Sequence, residues 1–322
     1  MTRRILVIKL SALGDMVLSM PAFARLRAAE AGAHITLLTT PPYADLARRS
    51  PWFDAVETDG RPRSLTDWLA LVRRLRRARF DRVYDLQAND RTNLLFQALR
   101  PHPPFWSGMA AGCAARGDRR RRATMHVLER EADQLNLAGV LPPVSTDPGK
   151  APGPDLAWML ASLDGPRPAE RLALLVPGAS PRRPLKLWPA HSFATLALAL
   201  QAEGLSVAII GGDAERTLAA GIQTQAPATI DLTGRTDLFQ LAELGARAVL
   251  AVGNDTGPMH LIAAAGAPCL TLFSGDSDPA RNAPRGRVRI LQRQNLADLR
   301  SEVVLAEALD LWRQGDIAIR AS

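Results

Sequence analysis

The run Gly253-Asn254-Asp255-Thr256-Gly257-Pro258-Met259-His260 follows an apolar stretch over 248–252 and precedes a helical period. Pro258 suits a first helical turn, which would leave the amides of Thr256 and Gly257 pointing out of a helix N-terminus as an anion site. Asp255 is then placed to hold sugar hydroxyls, with His260 about one turn inside the helix. The competing reading makes Asp255 or Thr256 a plain cap and His260 a half-buried helix residue. Taken alone, the run leaves both open.

A second loop, Pro177-Gly178-Ala179-Ser180-Pro181-Arg182-Arg183-Pro184-Leu185-Lys186-Leu187-Trp188-Pro189, combines small residues with three cations. Small residues allow close backbone approach and the cations supply charge, so it reads as a phosphate-binding loop as readily as a solvated one. A third segment, Lys9-Leu10-Ser11-Ala12-Leu13-Gly14-Asp15, joins an apolar strand to a helix. Asp15 is there either an N-cap or a carboxylate free to accept a proton in a ligand crevice.

Asp276-Ser277-Asp278 has the spacing with which some glycosyltransferases hold a divalent metal, but lies among Gly, Ser and Pro, where Asp forms turns. No metal is expected, since five scattered histidines make no zinc pattern. Neither G-x-G-x-x-G nor G-x-x-x-x-G-K-[ST] occurs, which counts against a dinucleotide oxidoreductase and a P-loop phosphotransferase. The arginines at 73, 74, 76, 77 and 79 and at 116, 119, 120, 121 and 122 read as solvated surface or as contacts to an acidic acceptor or membrane headgroups.

The elements that must carry these loops alternate as strand and helix, twice over, which predicts a parallel α/β architecture. Strands are expected at 4–9, 35–39, 55–58 and 82–86, with helices at 15–29, 42–49, 65–77, 91–99 and 126–137. Seven prolines between 141 and 171 bracket one short helix at 156–163 and mark a linker. The second half restarts with strands at 172–176, 206–210, 229–231, 249–252, 269–273 and 288–291. Helices there are expected at 189–203, 213–223, 238–245 and 258–265, with a terminal one at 301–312. Open parallel sheets bind ligands beyond the carboxyl ends of their strands, so two such domains would face loops across a cleft.

A chain of 322 residues favours two domains, and 47% hydrophobic with 22% charged residues excludes a disordered or fibrous protein. The net charge of +8 and a pI of about 10.5 suit an anionic partner. Of 40 basic residues only Lys9, Lys150 and Lys186 are lysines, and two of the three fall in candidate ligand loops. Two cysteines far apart give no disulfide framework. No signal peptide or transmembrane segment is expected, which predicts a soluble, cytoplasmic protein.

Taken in order, Ile5-Leu6-Val7-Ile8-Lys9 with Leu13-Gly14-Asp15, Pro177-Gly178-Ala179 with Lys186-Leu187-Trp188-Pro189, Gly211-Gly212-Asp213-Ala214-Glu215, Leu232-Thr233-Gly234 and Gly253-Asn254-Asp255-Thr256-Gly257 with His260 resemble glycosyltransferase family 9, the bacterial ADP-heptose:lipopolysaccharide heptosyltransferases. The resemblance implies a GT-B fold of two Rossmann-like domains with parallel sheets facing across a cleft. It assigns 1–145 to acceptor binding, 146–170 to the linker, 171–300 to the nucleotide sugar, and 301–322 to a helix packing back on the first domain. It further implies an inverting, metal-independent transfer of heptose from ADP-heptose to the lipopolysaccharide inner core, with no cofactor. By the same resemblance Asp15 is the general base, and Lys186, Ser180, Asp255, Thr256, Gly257 and His260 hold the donor sugar and diphosphate. Glu215 lies near the nucleoside, and Ser11, Gly14, Gln87 and Arg91 are the acceptor-side candidates. The partners implied are a nucleotide sugar and an anionic glycolipid at the inner membrane surface, with no nucleic acid. Other expectations kept in view are a different nucleotide sugar or surface glycan, a nucleotide-sugar epimerase, and a non-catalytic lipopolysaccharide-binding protein. Ser274-Gly275-Asp276-Ser277-Asp278-Pro279 stands one residue longer than the family's more usual Gly-Pro-Thr-Asp-Pro, and Ala88-Asn89-Asp90-Arg91 lacks its usual Gly and Lys.

Overall fold

The computed structural model describes residues 2–141, 152–161, 171–180 and 183–320, with side chains through Gln314. The chain divides into two units, Met1–Pro154 and Asp155–Ser322. The first holds a sheet of β1 (Arg4–Ile8), β2 (His34–Leu38), β3 (Ala55–Glu57), β4 (Arg82–Asp85), β5 (Phe105–Gly108) and β6 (Ala115–Arg116). The second holds β7 (Leu172–Val176), β8 (Ser206–Ile209), β9 (Ile230–Asp231), β10 (Leu250–Asn254), β11 (Cys269–Phe273) and β12 (Val288–Gln292). All pairings are parallel. Parallel strands are covered by helices on both faces, so they read as unbroken apolar runs. Arg-Ile-Leu-Val-Ile in β1 and Leu-Ala-Leu-Leu-Val in β7 are such runs, and every residue after the first is buried.

The two sheets share one strand order, β3-β2-β1-β4-β5-β6 and β12-β11-β10-β7-β8-β9. Each order reverses at its centre, between β1 and β4 and between β7 and β10. In doubly wound sheets ligands bind beyond the carboxyl ends of the strands at that reversal. The segments leaving β1 and β4 carry Asp15 and Gln87, and those leaving β7 and β10 carry Lys186 and Asp255. Gly253 pairs with Val176 at the second reversal. A Cβ on Gly253 would stand 2.5 Å from Val176 Cβ and 2.9 Å from Met259 Sδ, so only glycine lets the strand and the following helix close together.

Several expected elements differ. The helix expected over 15–29 is two, Leu13–Leu18 and Met20–Ala29, because Pro21 cannot donate into a continuous helical ladder. β5 and β6 lie where no strand was expected. The terminal helix runs Ser301–Arg320, longer than the expected 301–312. Val304, Ala308, Leu311 and Trp312 pack in the second unit's core with Phe193, Leu196 and Leu200. Their spacing forms one apolar stripe, and the helix Ala190–Ala202 supplies the matching face. Of the linker expected over 146–170, residues 146–151 and 162–170 lie outside the described residues, as does Lys150. Within 152–161 the helix Ala157–Leu160 buries Met159. Among the described residues no helix is long and apolar enough to cross a membrane.

Candidate active site

In the first unit the segment after β1 is held by side chains from its neighbours. Gln87 Oε1 accepts from the amides of Leu10 at 2.7 Å and Ser11 at 3.3 Å, and Thr40 Oγ1 donates to Leu10 O at 2.9 Å. Ala12, not Asp15, is the N-cap of the helix Leu13–Leu18, and Gly14 is buried in its first turn. Asp15 lies one turn in, half-buried, and its Oδ2 accepts from the Ala12 amide at 3.2 Å. Its Oδ1 makes no hydrogen bond among the described residues. The carboxylate thus steadies the helix start with one oxygen and leaves the other unengaged among the described residues.

Arg61 donates to Ser11 Oγ, and Arg91 donates to Pro62 O at 3.5 Å. The loop carrying Arg61 and Pro62 therefore touches two of the four acceptor-side candidates, Ser11 and Arg91, though Arg91 itself stays exposed. Burial pushes the Tyr43 phenol up, with Arg61 opposing and Asp15 adding to the rise. Tyr43 and Arg61 were not singled out from sequence, since arginine is this chain's common positive charge and tyrosine carries no spacing signal. Lys9, in a candidate ligand loop, faces inward and pairs with Glu131 Oε1 at 2.7 Å, both side chains being buried. Asp85 at the end of β4 is also buried, and its Oδ1 accepts from the Ala88 amide at 2.8 Å. Burial pushes its carboxyl up to about 6.

In the second unit the two loops after β7 and β10 are joined by Asn254. Its Nδ2 donates to Pro177 O at 2.8 Å and Gly178 O at 3.3 Å, while its Oδ1 accepts from the Trp188 amide at 3.3 Å. Lys186, on the first loop, forms a buried ion pair with Asp255 Oδ2, which also accepts from Ser277 Oγ at 2.6 Å. His260 Nε2 stands 3.9 Å from Asp255 Oδ1. Burial raises the Asp255 carboxyl, but the His260 imidazole, the Lys186 ammonium and the Ser277 hydroxyl outweigh it and hold it at about 2. His260 Nδ1 is buried without a partner among the described residues.

Thr256 is the N-cap of the helix Gly257–Ala264, with Pro258 in its first turn. The amides of Thr256 and Gly257 make no hydrogen bond among the described residues, as expected of a helix N-terminus open to an anion. Glu215 lies against the first loop. Its Oε2 accepts from the Gly212 amide at 2.8 Å, and a Cβ on Gly178 would come within 3.0 Å of its Cγ. Ser180 is exposed, its carbonyl accepting from the Arg183 amide at 2.9 Å, while 181 and 182 lie outside the described residues.

Of the acidic pair at 276 and 278, Asp278 caps the helix Pro279–Asn282 and Asp276 is exposed. Ser277 between them serves Asp255 instead, a contact that only the fold reveals. Among the described residues no three His, Cys, Asp or Glu side chains cluster in a way that could hold a metal. The arginine clusters are partly structural: Arg74 pairs with Glu57 and Asp59. Arg122 is buried and donates to Gln134 Oε1 at 2.8 Å, and burial pulls its guanidinium down to about 10.

Residues 68–302 match glycosyltransferase family 9 (heptosyltransferase). The chain is 28% identical over 309 residues to lipopolysaccharide heptosyltransferase 2 of Escherichia coli K12, covering 87% of this chain and 85% of the relative. Its fold is similar to that of a solved family 9 glycosyltransferase from Veillonella parvula, with a TM-score of 0.80, 24% identity and coverage of 97% and 98% of the two chains. It is also similar to E. coli ADP-heptose lps heptosyltransferase II, with a TM-score of 0.75, 24% identity and coverage of 97% and 99%. The paired doubly wound sheets are those of GT-B glycosyltransferases. With the match running from β4 through β12 to the start of the last helix, the chain belongs to glycosyltransferase family 9, the heptosyltransferases.

Proposed function

We propose that this protein transfers a heptose from ADP-heptose to an anionic glycolipid of the lipopolysaccharide inner core, inverting the anomeric centre and using no metal. The observation that carries the reading is the buried Lys186–Asp255 pair beside the open amides of Thr256 and Gly257, all at the β7/β10 reversal. A leaving diphosphate gains negative charge as the sugar departs, and cations and amide dipoles fixed beforehand stabilise that charge. Lys186 has three N–H donors, and its Nζ donates to Asp255 Oδ2 and, at 3.4 Å, to the Asp255 backbone carbonyl. The lysine and the helix amides supply positive charge where a metal would otherwise be needed. Asp255 Oδ1 and His260 face a sugar's hydroxyls, and Glu215 faces the nucleoside.

The first unit supplies the acceptor side. Asp15 takes the proton from the acceptor hydroxyl as its oxygen bonds to the anomeric carbon, and the bond from that carbon to the diphosphate breaks with its electron pair leaving on ADP. One base suffices for inversion, so no second carboxylate is required. Ser11, Gln87 and Arg91 flank the acceptor, which bears negative charge suited to an arginine-rich protein.

The test is to incubate the protein with ADP-heptose and an inner-core glycolipid lacking that heptose. A gain of one heptose on the glycolipid, read by mass spectrometry, supports the reading. Transfer from a UDP- or GDP-sugar instead would change the donor. Donor consumption without acceptor would turn the reading to an epimerase, and absence of any ADP affinity would turn it to a glycolipid-binding protein.

A further inference from the structure

We infer that Glu131 is a positioning residue for Asp15, acting through Ser19. The inference rests on the reading of Asp15 as the base and adds the device that holds it.

The helix bearing Asp15, Leu13–Leu18, has six residues. A helix so short has almost no stability of its own, so tertiary anchors set its place. At its start Gln87 holds the amides of Leu10 and Ser11. At its end stands Ser19, fully buried at the junction with Met20–Ala29. The Asp15 carbonyl accepts from the Ser19 amide at 3.0 Å; the Ser19 hydroxyl, 2.7 Å from that carbonyl, has one proton to give, and the Glu131 carboxylate is its stronger acceptor. The same Oγ lies 2.9 Å from Glu131 Oε1, and that oxygen also takes Lys9 Nζ at 2.7 Å.

One carboxylate oxygen therefore ties three elements: the exit of β1 through Lys9, the helix Val127–Leu137 that bears Glu131, and the turn of Asp15. Lys9 also approaches Leu86 O at 3.4 Å, at the exit of β4. The arrangement is not the one that stability alone would select. Glu131 Oε2 is buried without a partner among the described residues, and a buried ion pair is often no more stable than apolar groups of the same shape. What it does provide is a fixed distance between the Asp15 turn and the sheet reversal. Misplacement of a catalytic group by about 1 Å can cost about a hundredfold in rate.

The experiment compares folded variants that separate the hydrogen bond from the charge pair. K9M/E131Q removes both charges but leaves an oxygen for Ser19, whereas K9M/E131M removes the oxygen as well, and Ser19→Ala removes the hydroxyl alone. Tm and ADP affinity are measured for each, with kcat and donor KM, alongside Asp15→Asn. K9M/E131M and Ser19→Ala should lose at least about tenfold in kcat with donor KM and ADP affinity unchanged, and K9M/E131Q should recover most of it. Combining Ser19→Ala with K9M/E131M should add little, since both break one contact. If Asp15→Asn is inactive while K9M/E131M and Ser19→Ala turn over like wild type, the inference fails and the base reading stands. Equal loss in both double variants with Ser19→Ala unaffected also overturns it, leaving the pair purely structural. Turnover in Asp15→Asn overturns the base reading, and this inference with it.

Discussion

Lys186 and Asp255, 69 residues apart in sequence, meet as a buried ion pair at the centre of the second sheet, with Ser277 on the same carboxylate oxygen. Neither residue is on the strand of the other, so the pair exists only because β7 and β10 are neighbours. Beside an open helix N-terminus, it is a structural tie and, on the proposed function, an electrostatic seat for a diphosphate.

Those two roles separate by mutation. Lys186→Ala leaves Asp255 buried with only the Ser277 hydroxyl and the His260 imidazole, and breaking a buried pair costs about 3–5 kcal/mol. K186M/D255N removes both charges and should regain most of that Tm loss. ADP affinity should fall about ten- to a hundredfold in both, the worth of a hydrogen bond to a charged group. Calorimetric titration with ADP checks this; unchanged affinity would return the loop to ordinary surface.

Asp15→Asn should melt within about 1 kcal/mol of wild type, because an asparagine oxygen can still accept from the Ala12 amide. Transfer should fall by about 10² to 10⁴, the usual loss on removing a general base, with ADP affinity unaltered. Turnover above about a tenth of wild type would lie below the range expected for a base and leave Asp15 a helix-start residue only.

Two carboxyls should shape the pH dependence of stability in opposite senses. Asp85 is pushed from 3.8 up to about 6 by burial, so between about pH 4 and 6 the unfolded chain ionises while the folded one stays protonated. Its contribution is full below pH 4 and is lost as pH rises through 6, about 3 kcal/mol in all. Asp85→Asn should abolish that decline and be more stable than wild type at pH 7.5. Asp255, held at about 2, contributes in the other direction: its share is present above about pH 4 and disappears as pH falls through 2. Urea unfolding of wild type and Asp85→Asn across pH 4–8 measures the first effect; parallel curves would refute it.

Turnover should persist in excess EDTA, since Lys186 and the helix amides can meet the diphosphate charge by themselves. Loss of activity restored by Mg²⁺ or Mn²⁺ would return Asp276 and Asp278 to the metal reading.

The central strands were legible because parallel burial leaves a plain signature of unbroken apolar residues, as in β1, β7 and β11. β5 was not, because Phe105-Trp106-Ser107-Gly108 follows prolines at 101, 103 and 104 and is shorter than one apolar run. The loops bearing Asp15, Lys186 and Asp255 could be read from glycine, charge and position after a strand. Their contacts could not: Glu131 carries no local signal, Ser277 stood only between two turn-forming aspartates, Asn254 only within the run of Asp255, and Gln87 only by resemblance, and the role of each emerges through a contact made across the fold. The break at Ser19 did leave a trace, Pro21, which a single helix over 15–29 ignored.

The tie of Gln87 to Leu10 and that of Asn254 to Pro177 each span 77 residues, so both crevices are built from contacts of long sequence separation. Closing such loops is entropically costly and comes late relative to local structure. Each crevice is thus assembled only when its own sheet has a complete centre, and fraying of the outer strands β3, β6, β9 or β12 leaves it intact. On the proposed function, nucleotide affinity in the second unit would for that reason report cooperative folding: a chain caught with helices formed but β7 and β10 unjoined would lack the Lys186–Asp255 seat altogether.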